Sequence, residues 1–339
     1  MPGAKRHSEL WCSLLCGGLL FLALCKPISA QTPYARADSI AAHYFGASLH
    51  NLYLLSHQLT EALPTEEEKF RALYTWVVQN IENDQQQYRR TMRIRARYAD
   101  DSVGLTTWNA RLKKKMLSKL MEDRKTLCTG YAYLLSYMAQ QVDIRCEMVE
   151  GYARSGQGNV GGQGVVNHHW NAVQLDGRWL LCDPTWSSGI VDVWPKRVGE
   201  DPYFLLEPRR FVLNHYPVDT PWLLMEKAPS LEQFLNGPIV YHGGQWENMI
   251  PHNPGTFVIA QTAGKPVQLQ FEQLGAALTE TLQWQWVDDY GKVDERTVPV
   301  QTLENGLRQV AYTFRKPGTY MVHLRHEGHY LLSYQVEVR

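Results

Sequence analysis

Between residues 128 and 183 the spacing of apolar side chains switches once, from a helical repeat to strict alternation. Tyr131, Leu134, Leu135, Met138, Ala139 and Val142 trace one stripe at helical steps, the buried face of a helix that begins at Cys128. From Ile144 the period becomes two, with Ile144, Cys146 and Met148 alternating against Arg145 and Glu147 in a strand that ends near Tyr152. Two further strands, Val165 to Leu175 and Trp179 to Asp183, are joined by an Asp176-Gly177 hairpin turn. One helix and a three-strand antiparallel unit result.

Upstream, Thr65 and Glu68 form a capping box. Behind it Phe70, Leu73, Tyr74, Val77, Val78 and Ile81 predict a helix from Glu66 to Glu82. Leu52, Leu55 and Leu59 predict another before it. From Arg89 to Lys115 the chain turns basic; this reads as a solvated insertion, with a surface for an acidic partner as the alternative. Ser155 to Gly164 contains Gly156, Gly158 and Gly161 in a G-x-G-x-x-G spacing. A dinucleotide loop must open a helix whose N-terminus faces the pyrophosphate, and here a strand follows, so the segment reads as a mobile hairpin loop beside a cleft.

A chain of 339 residues exceeds what one core usually serves. Residues 201 to 240 are rich in proline and aromatics and read as an irregular connecting segment packed on its neighbours. Beyond them, alternating runs at Thr256 to Ala260, Val267 to Phe271, Leu282 to Val287, Val298 to Leu303, Gln309 to Phe314, Tyr320 to Arg325 and Tyr330 to Val338 predict a small β-sandwich. Leu282, Trp284 and Trp286 share one face there, which assigns them to its core. The fold class is therefore α+β, with units at 31–200, 201–245 and 246–339.

Residues 1–30 differ in kind. Lys5 and Arg6 precede an apolar run from Leu10 to Leu24, then Pro27 and the small Ala30. That is the pattern of a cleaved secretory signal, and the run is shorter than the roughly 20 residues a spanning helix needs. The expectation is a secreted or periplasmic protein with no stable membrane insertion after cleavage. Without the leader, Cys128, Cys146 and Cys182 remain, an odd number that leaves at least one free thiol in an oxidising compartment. Cys146 and Cys182 read as buried small hydrophobes, a disulfide between them being the alternative. Lys plus Arg and Asp plus Glu balance at 34 each, so no global field recruits nucleic acid.

Three clusters carry chemistry: Leu127-Cys128-Thr129-Gly130-Tyr131-Ala132, Asn167-His168-His169-Trp170-Asn171 and Leu181-Cys182-Asp183-Pro184-Thr185-Trp186. A thiol attacks as thiolate, and a helix N-terminus lowers its pKa, so Cys128 stands where a nucleophile is favoured. A histidine must pair with it and later protonate the leaving amine, and a carboxylate must hold the far side of that ring. His168 on one strand and Asp183 at the end of its hairpin partner can face each other with the helix tip above them. No Cys-x-x-Cys or His-Glu-x-x-His spacing calls for a metal, and no cofactor is expected.

The order Cys-Gly-Tyr-Ala in spirit (Cys128-Thr129-Gly130-Tyr131-Ala132), His-x-Trp-Asn (His168 to Asn171) and Asp-Pro-Thr-Trp (Asp183 to Trp186), with Asp176-Gly177-Arg178-Trp179 before the last block, resembles the transglutaminase-like superfamily of papain-fold enzymes. Thr126-Leu127 departs from the small residues that commonly precede the cysteine. Lys69 to Ile81 is similar to the family's first helix, and Tyr203 to Pro217 with Pro229-Ser230-Leu231 resembles the segment that follows the domain in bacterial proteins of the kyphoscoliosis peptidase type. The resemblance implies a Cys128, His168, Asp183 triad, with His168 rather than His169 as base because it stands two before the tryptophan. It implies a cysteine-dependent acyl-transfer enzyme acting on protein or peptide amides, hydrolytic or transamidating. A fold retained as a binding or scaffold module is the alternative. Trp170 and Trp186 are expected to wall the cleft and Asn171 to hydrogen-bond within the fold. The Cys128 N–H, with Gln85 or Trp108, is expected to form the oxyanion hole.

Overall fold

The computed structural model describes residues 33–98, 101–156, 158–162, 164–189, 201–275 and 280–339. The proposed leader lies outside them. Among the described residues no helix is long and apolar enough to cross a membrane.

The N-terminal half is helical. α1 (Ala35–His43), α2 (Leu52–Thr60) and α3 (Glu66–Asn80) come first. The Thr65 side chain caps α3 by accepting from the Glu68 N–H at 3.2 Å, as the capping pattern predicts. A short strand β1 (Glu82–Asn83) leads to α4 (Gln85–Arg97) and α5 (Ser102–Asp123), and β2 (Lys125–Thr126) leads to α6 (Cys128–Gln140). The basic stretch read as a solvated insertion is thus two helices. Arginine and lysine are good helix formers, and Trp108, Leu112, Met116 and Leu120 repeat every fourth residue. Leu112 and Met116 pack with Leu127, while Leu120 joins the main core. Asp101 caps α5 by accepting from the Gly104 N–H at 2.8 Å.

The strands β3 (Cys146–Ala153), β4 (His168–Leu175) and β5 (Arg178–Cys182) form the predicted antiparallel unit. A fourth strand, β6 (His215–Pro217), extends it on the β3 side to the order β5-β4-β3-β6. It comes from the segment read as irregular; three residues ending in proline are too short to show an alternation. The sheet is covered on both faces. Cys146, Val173, Leu175 and Cys182 pack with α1, α2, α3 and α6, whereas Val149, Trp170, Ala172 and Leu181 pack with Tyr203 and Phe211 of the connecting segment. Coverage on both sides explains why six of the eight β4 residues are buried, on both faces of the strand.

The C-terminal unit is the predicted sandwich. One sheet holds Met249–Asn253, Pro266–Gln273, Arg308–Thr313 and Gln301–Thr302; the other is built on Val293–Pro299, Thr281–Asp288, Gly318–His326 and His329–Val338. The run expected over Val298 to Leu303 is instead the end of one strand and a separate short one, because Pro299 interrupts the ladder. Leu282, Trp284 and Trp286 are buried in the sandwich core. Ile239–Val240 pairs antiparallel with Leu332 and Ser333, so the connecting segment is hydrogen-bonded to the sandwich as well as to β3.

Candidate active site

Cys128 opens α6 from Leu127, which offers no side-chain cap. No capping side chain competes with the sulfur for the positive end of the helix dipole. Gly130 is required by close approach: a Cβ there would lie 1.9 Å from Thr126 Oγ1. Thr126 in turn pairs with Asn83 in the parallel β1–β2 ladder, and the Asp84 N–H donates to the Thr126 carbonyl at 2.9 Å. That ladder carries Asn83 and Gln85 to the rim of the cleft containing Cys128.

His168 is the first residue of β4, and Asp183 directly follows β5. The hairpin register pairs Asn171 with Cys182 and brings the two ends together. His168 Nε2 lies 2.7 Å from Asp183 Oδ2. Asp183 also caps a short helix α7 (Pro184–Ser187), its Oδ1 accepting from the N–H groups of Thr185 at 2.8 Å and Trp186 at 3.1 Å. A second imidazole completes the set: His215 Nε2 lies 3.0 Å from the same Oδ2. The fully buried carboxylate thus meets two backbone donors on one oxygen and two imidazoles on the other. Burial opposes its charge, but the charge and hydrogen bond of His168 and then the bond to His215 hold Asp183 well below the usual carboxylate range.

With Nε2 on the carboxylate, His168 lies beside the Cys128 thiol, close enough for each group to shift the other's proton affinity. Burial works against the imidazolium; Asp183 and the thiolate more than offset it and raise His168 to about 10. For Cys128 burial again opposes charge, and His168 followed by His169 holds the thiol well below its ordinary range. His169 alternates with His168 as strand geometry requires. It shares the α6 face with Asn171, its Nδ1 3.2 Å from Thr129 Oγ1, and does not touch Asp183. His168 shares the opposite face with Trp170, beside Trp186 and His215. The partners distinguish the two histidines: His168 meets the buried Asp183 at 2.7 Å, whereas His169 Nε2 lies 3.7 Å from the exposed Glu150 carboxylate.

His215 is the residue that sequence reasoning missed. It is fully buried, and burial is the main cause of a pKa lowered to about 4. Its Nδ1 lies 2.7 Å from the Asn214 amide, whose other end meets the Tyr203 hydroxyl at 2.9 Å. His168, Asp183 and His215 could also be considered as metal ligands. Here, however, both nitrogens sit at hydrogen-bonding distance from one carboxylate oxygen, which uses the contacts a shared ion would need.

A cleft of 360 Å³ opens beside Cys128 and His168, bounded in part by Gln85, Tyr88, Trp186, Tyr241 and Tyr330. Two expectations are corrected. Trp170 does not wall this cleft; it is fully buried against Phe211 and His215 on the covered face of β4. Trp108 lies on α5 in the Leu112, Met116 and Leu127 cluster, which leaves Gln85 as the expected donor residue at the cleft. Asn171 donates from Nδ2 to the Ala132 carbonyl at 2.9 Å, joining β4 to α6. Cys146 and Cys182 are buried free thiols rather than a disulfide, and burial raises both well above the ordinary range.

A family profile described as the transglutaminase-like superfamily matches residues 54–184, a span that contains Cys128, His168 and Asp183 but ends before His215. The chain is 33% identical over 220 residues to the kyphoscoliosis peptidase of Homo sapiens, covering 62% of this chain and 30% of that protein. Similarity to hillarin of Drosophila melanogaster is 24% over 202 residues, covering 55% of this chain and 22% of that protein. The chain thus spans less than a third of the length of these relatives.

Proposed function

Residues 54–184 belong to the transglutaminase-like superfamily, and on that premise we propose that the protein is a cysteine-dependent acyl-transfer enzyme acting on protein or peptide amides. The observation that carries the proposal is the chain of contacts Cys128–His168–Asp183, with 2.7 Å between His168 Nε2 and Asp183 Oδ2.

In this reading Asp183 holds the ring of His168 and favours its protonated form, so thiolate and imidazolium coexist. The Cys128 sulfur adds to the amide carbon and the carbonyl electrons move onto oxygen. In this reading the Cys128 N–H, with Gln85 from the cleft rim, stabilises that oxyanion. As the intermediate collapses, the C–N bond breaks and His168 delivers its proton to the departing amine, leaving a thioester. Neutral His168 then takes a proton from water or from an incoming amine, which attacks the thioester carbon and releases the thiolate. Water yields hydrolysis, and an amine yields transamidation. The name of the human relative, a peptidase, supports hydrolysis. The pattern of residues 1–30 supports export as the setting.

The test is incubation of the purified protein with a peptide library, with and without a free primary amine, read by mass spectrometry against C128A. Cleaved or deamidated peptides in the amine-free arm support hydrolysis, and amine adducts support transamidation. Peptides unchanged in both arms, with wild type indistinguishable from C128A, contradict catalysis and favour a binding module.

A further inference from the structure

We propose that the cleft beside Cys128 receives an uncharged, aromatic side chain of the acyl donor, against a wall that the β-sandwich supplies through Tyr330; the assignment rests on the acyl-transfer reading above.

The cleft is bounded by residues from separate parts of the chain. Tyr88 comes from α4, Trp186 from the helix that Asp183 caps, Tyr241 from the connecting segment and Tyr330 from the last sandwich strand. Apart from Cys128 and His168 themselves, the remaining lining is amide, hydroxyl or small. Among the described lining residues there is no Asp, Glu, Lys or Arg. A charged side chain entering there would give up hydration and meet, in the lining, only the Cys128–His168 pair, whose charges already satisfy each other, whereas an aromatic ring gains area and ring-to-ring contacts. A volume of 360 Å³ lies near the small end of ligand clefts, roughly 300–1,000 Å³, and suits one large side chain.

The sandwich wall is held in place from behind. The Tyr330 ring has the Arg325 guanidinium 5.0 Å from its centroid and His323 at 5.0 Å in an edge contact. Arg325 is itself paired with Glu295 at 2.7 Å. The Tyr330 hydroxyl donates to Gln285 Oε1 at 3.3 Å, and the Tyr241 hydroxyl accepts from Ser333 Oγ at 3.1 Å. With the ring centroids of Tyr241 and Tyr330 5.5 Å apart, their polar tips are engaged on sandwich residues and the rings remain to meet a ligand. Little ordering is then left to be done on binding. On this account the C-terminal unit is part of the substrate site.

The experiment uses the full chain and a set of acylated aminoacyl chloromethyl ketones carrying phenylalanine, glutamine, aspartate or lysine side chains. In each, the Cys128 thiolate displaces chloride from the methylene carbon and forms a thioether. Rates are divided by the rate with iodoacetamide, which has no side chain to place. The phenylalanine reagent is expected to exceed the aspartate and lysine reagents by at least about tenfold in this ratio. Y330A is expected to remove most of that preference and Y330F to keep it. Charged or glutamine reagents matching the phenylalanine one, or Y330A retaining the full preference, overturn the assignment. If iodoacetamide labels Cys128 no faster than an ordinary thiol, the acyl-transfer reading fails instead, so the two failures are distinguishable.

Discussion

His215 donates to the same Asp183 oxygen that holds His168, its Nε2 3.0 Å from Oδ2. His215 does not itself line the cleft, although its ring packs on Trp186, which does; it acts through Asp183 as a positioning residue that keeps the carboxylate from rotating away from His168. H215L is expected to lower kcat by about 10- to 100-fold with little change in KM, and H215Q, whose amide can still donate, to recover part of the loss. Steady-state kinetics on a peptide substrate, normalised to the active fraction by titrating the Cys128 thiol, check this; a normalised kcat in H215L equal to that of wild type would contradict the role.

The same histidine governs acid stability. Its folded pKa of about 4 lies below the ordinary 6.5, so between those values the unfolded chain binds one more proton than the native one. Stability therefore falls as pH drops through that window, by about 1.4 kcal/mol per unit for a single proton. Denaturant melts at pH 7, 5.5 and 4.5 should show this slope in wild type and a shallower one in H215Q. The depressed Asp183 acts in the same direction below the ordinary carboxylate pKa. His168, raised to about 10, contributes stability that is full below about pH 6.5 and lost as pH climbs through its folded value.

Gly151 lies between the strand of His168 and the strand of His215, paired to His168 on one side and Pro217 on the other. A Cβ there would fall 2.2 Å from the Tyr216 carbonyl oxygen and 2.4 Å from the Trp170 ring. G151A is expected to push β6 from β3, costing about 1–3 kcal/mol and reducing activity by displacing His215. Thermal melting and a rate assay on the same sample would show both losses.

Arg154 is buried and, among the described residues, meets no carboxylate. Its guanidinium donates to the carbonyls of Asn159, Phe234, Gly237 and Pro238, closing the loop after β3 onto the end of the helix Leu231–Asn236. Removing it orphans several buried acceptors at once, so R154M is expected to lose about 2–4 kcal/mol. Its neighbours Ala153 and Ser155 line the cleft, and KM should rise as well. Chemical denaturation with a parallel KM measurement tests the pair of effects.

What the sequence made legible follows from where each signal resides. Cys128, His168 and Asp183 each stand at the end of an element with a clear period, so local pattern locates them and the hairpin register joins them. His215 lies on a three-residue strand with no pattern, and only tertiary pairing with β3 brings it to Asp183. The Trp108, Leu112, Met116 and Leu120 repeat was present but masked by the surrounding basic charge. Trp170 was misplaced because a sheet covered on both faces buries alternate residues in opposite directions, and only the structure shows that the connecting segment covers its side.

The central claim is an ion pair between Cys128 and His168, and the direct measurement is the pH dependence of Cys128 alkylation by iodoacetamide. The account predicts fast labelling that persists well below pH 8, with Cys146 and Cys182 unreactive in the folded protein. In H168A the curve should shift up into or beyond the ordinary thiol range. A wild-type profile with an ordinary thiol midpoint, unchanged by H168A, would contradict it.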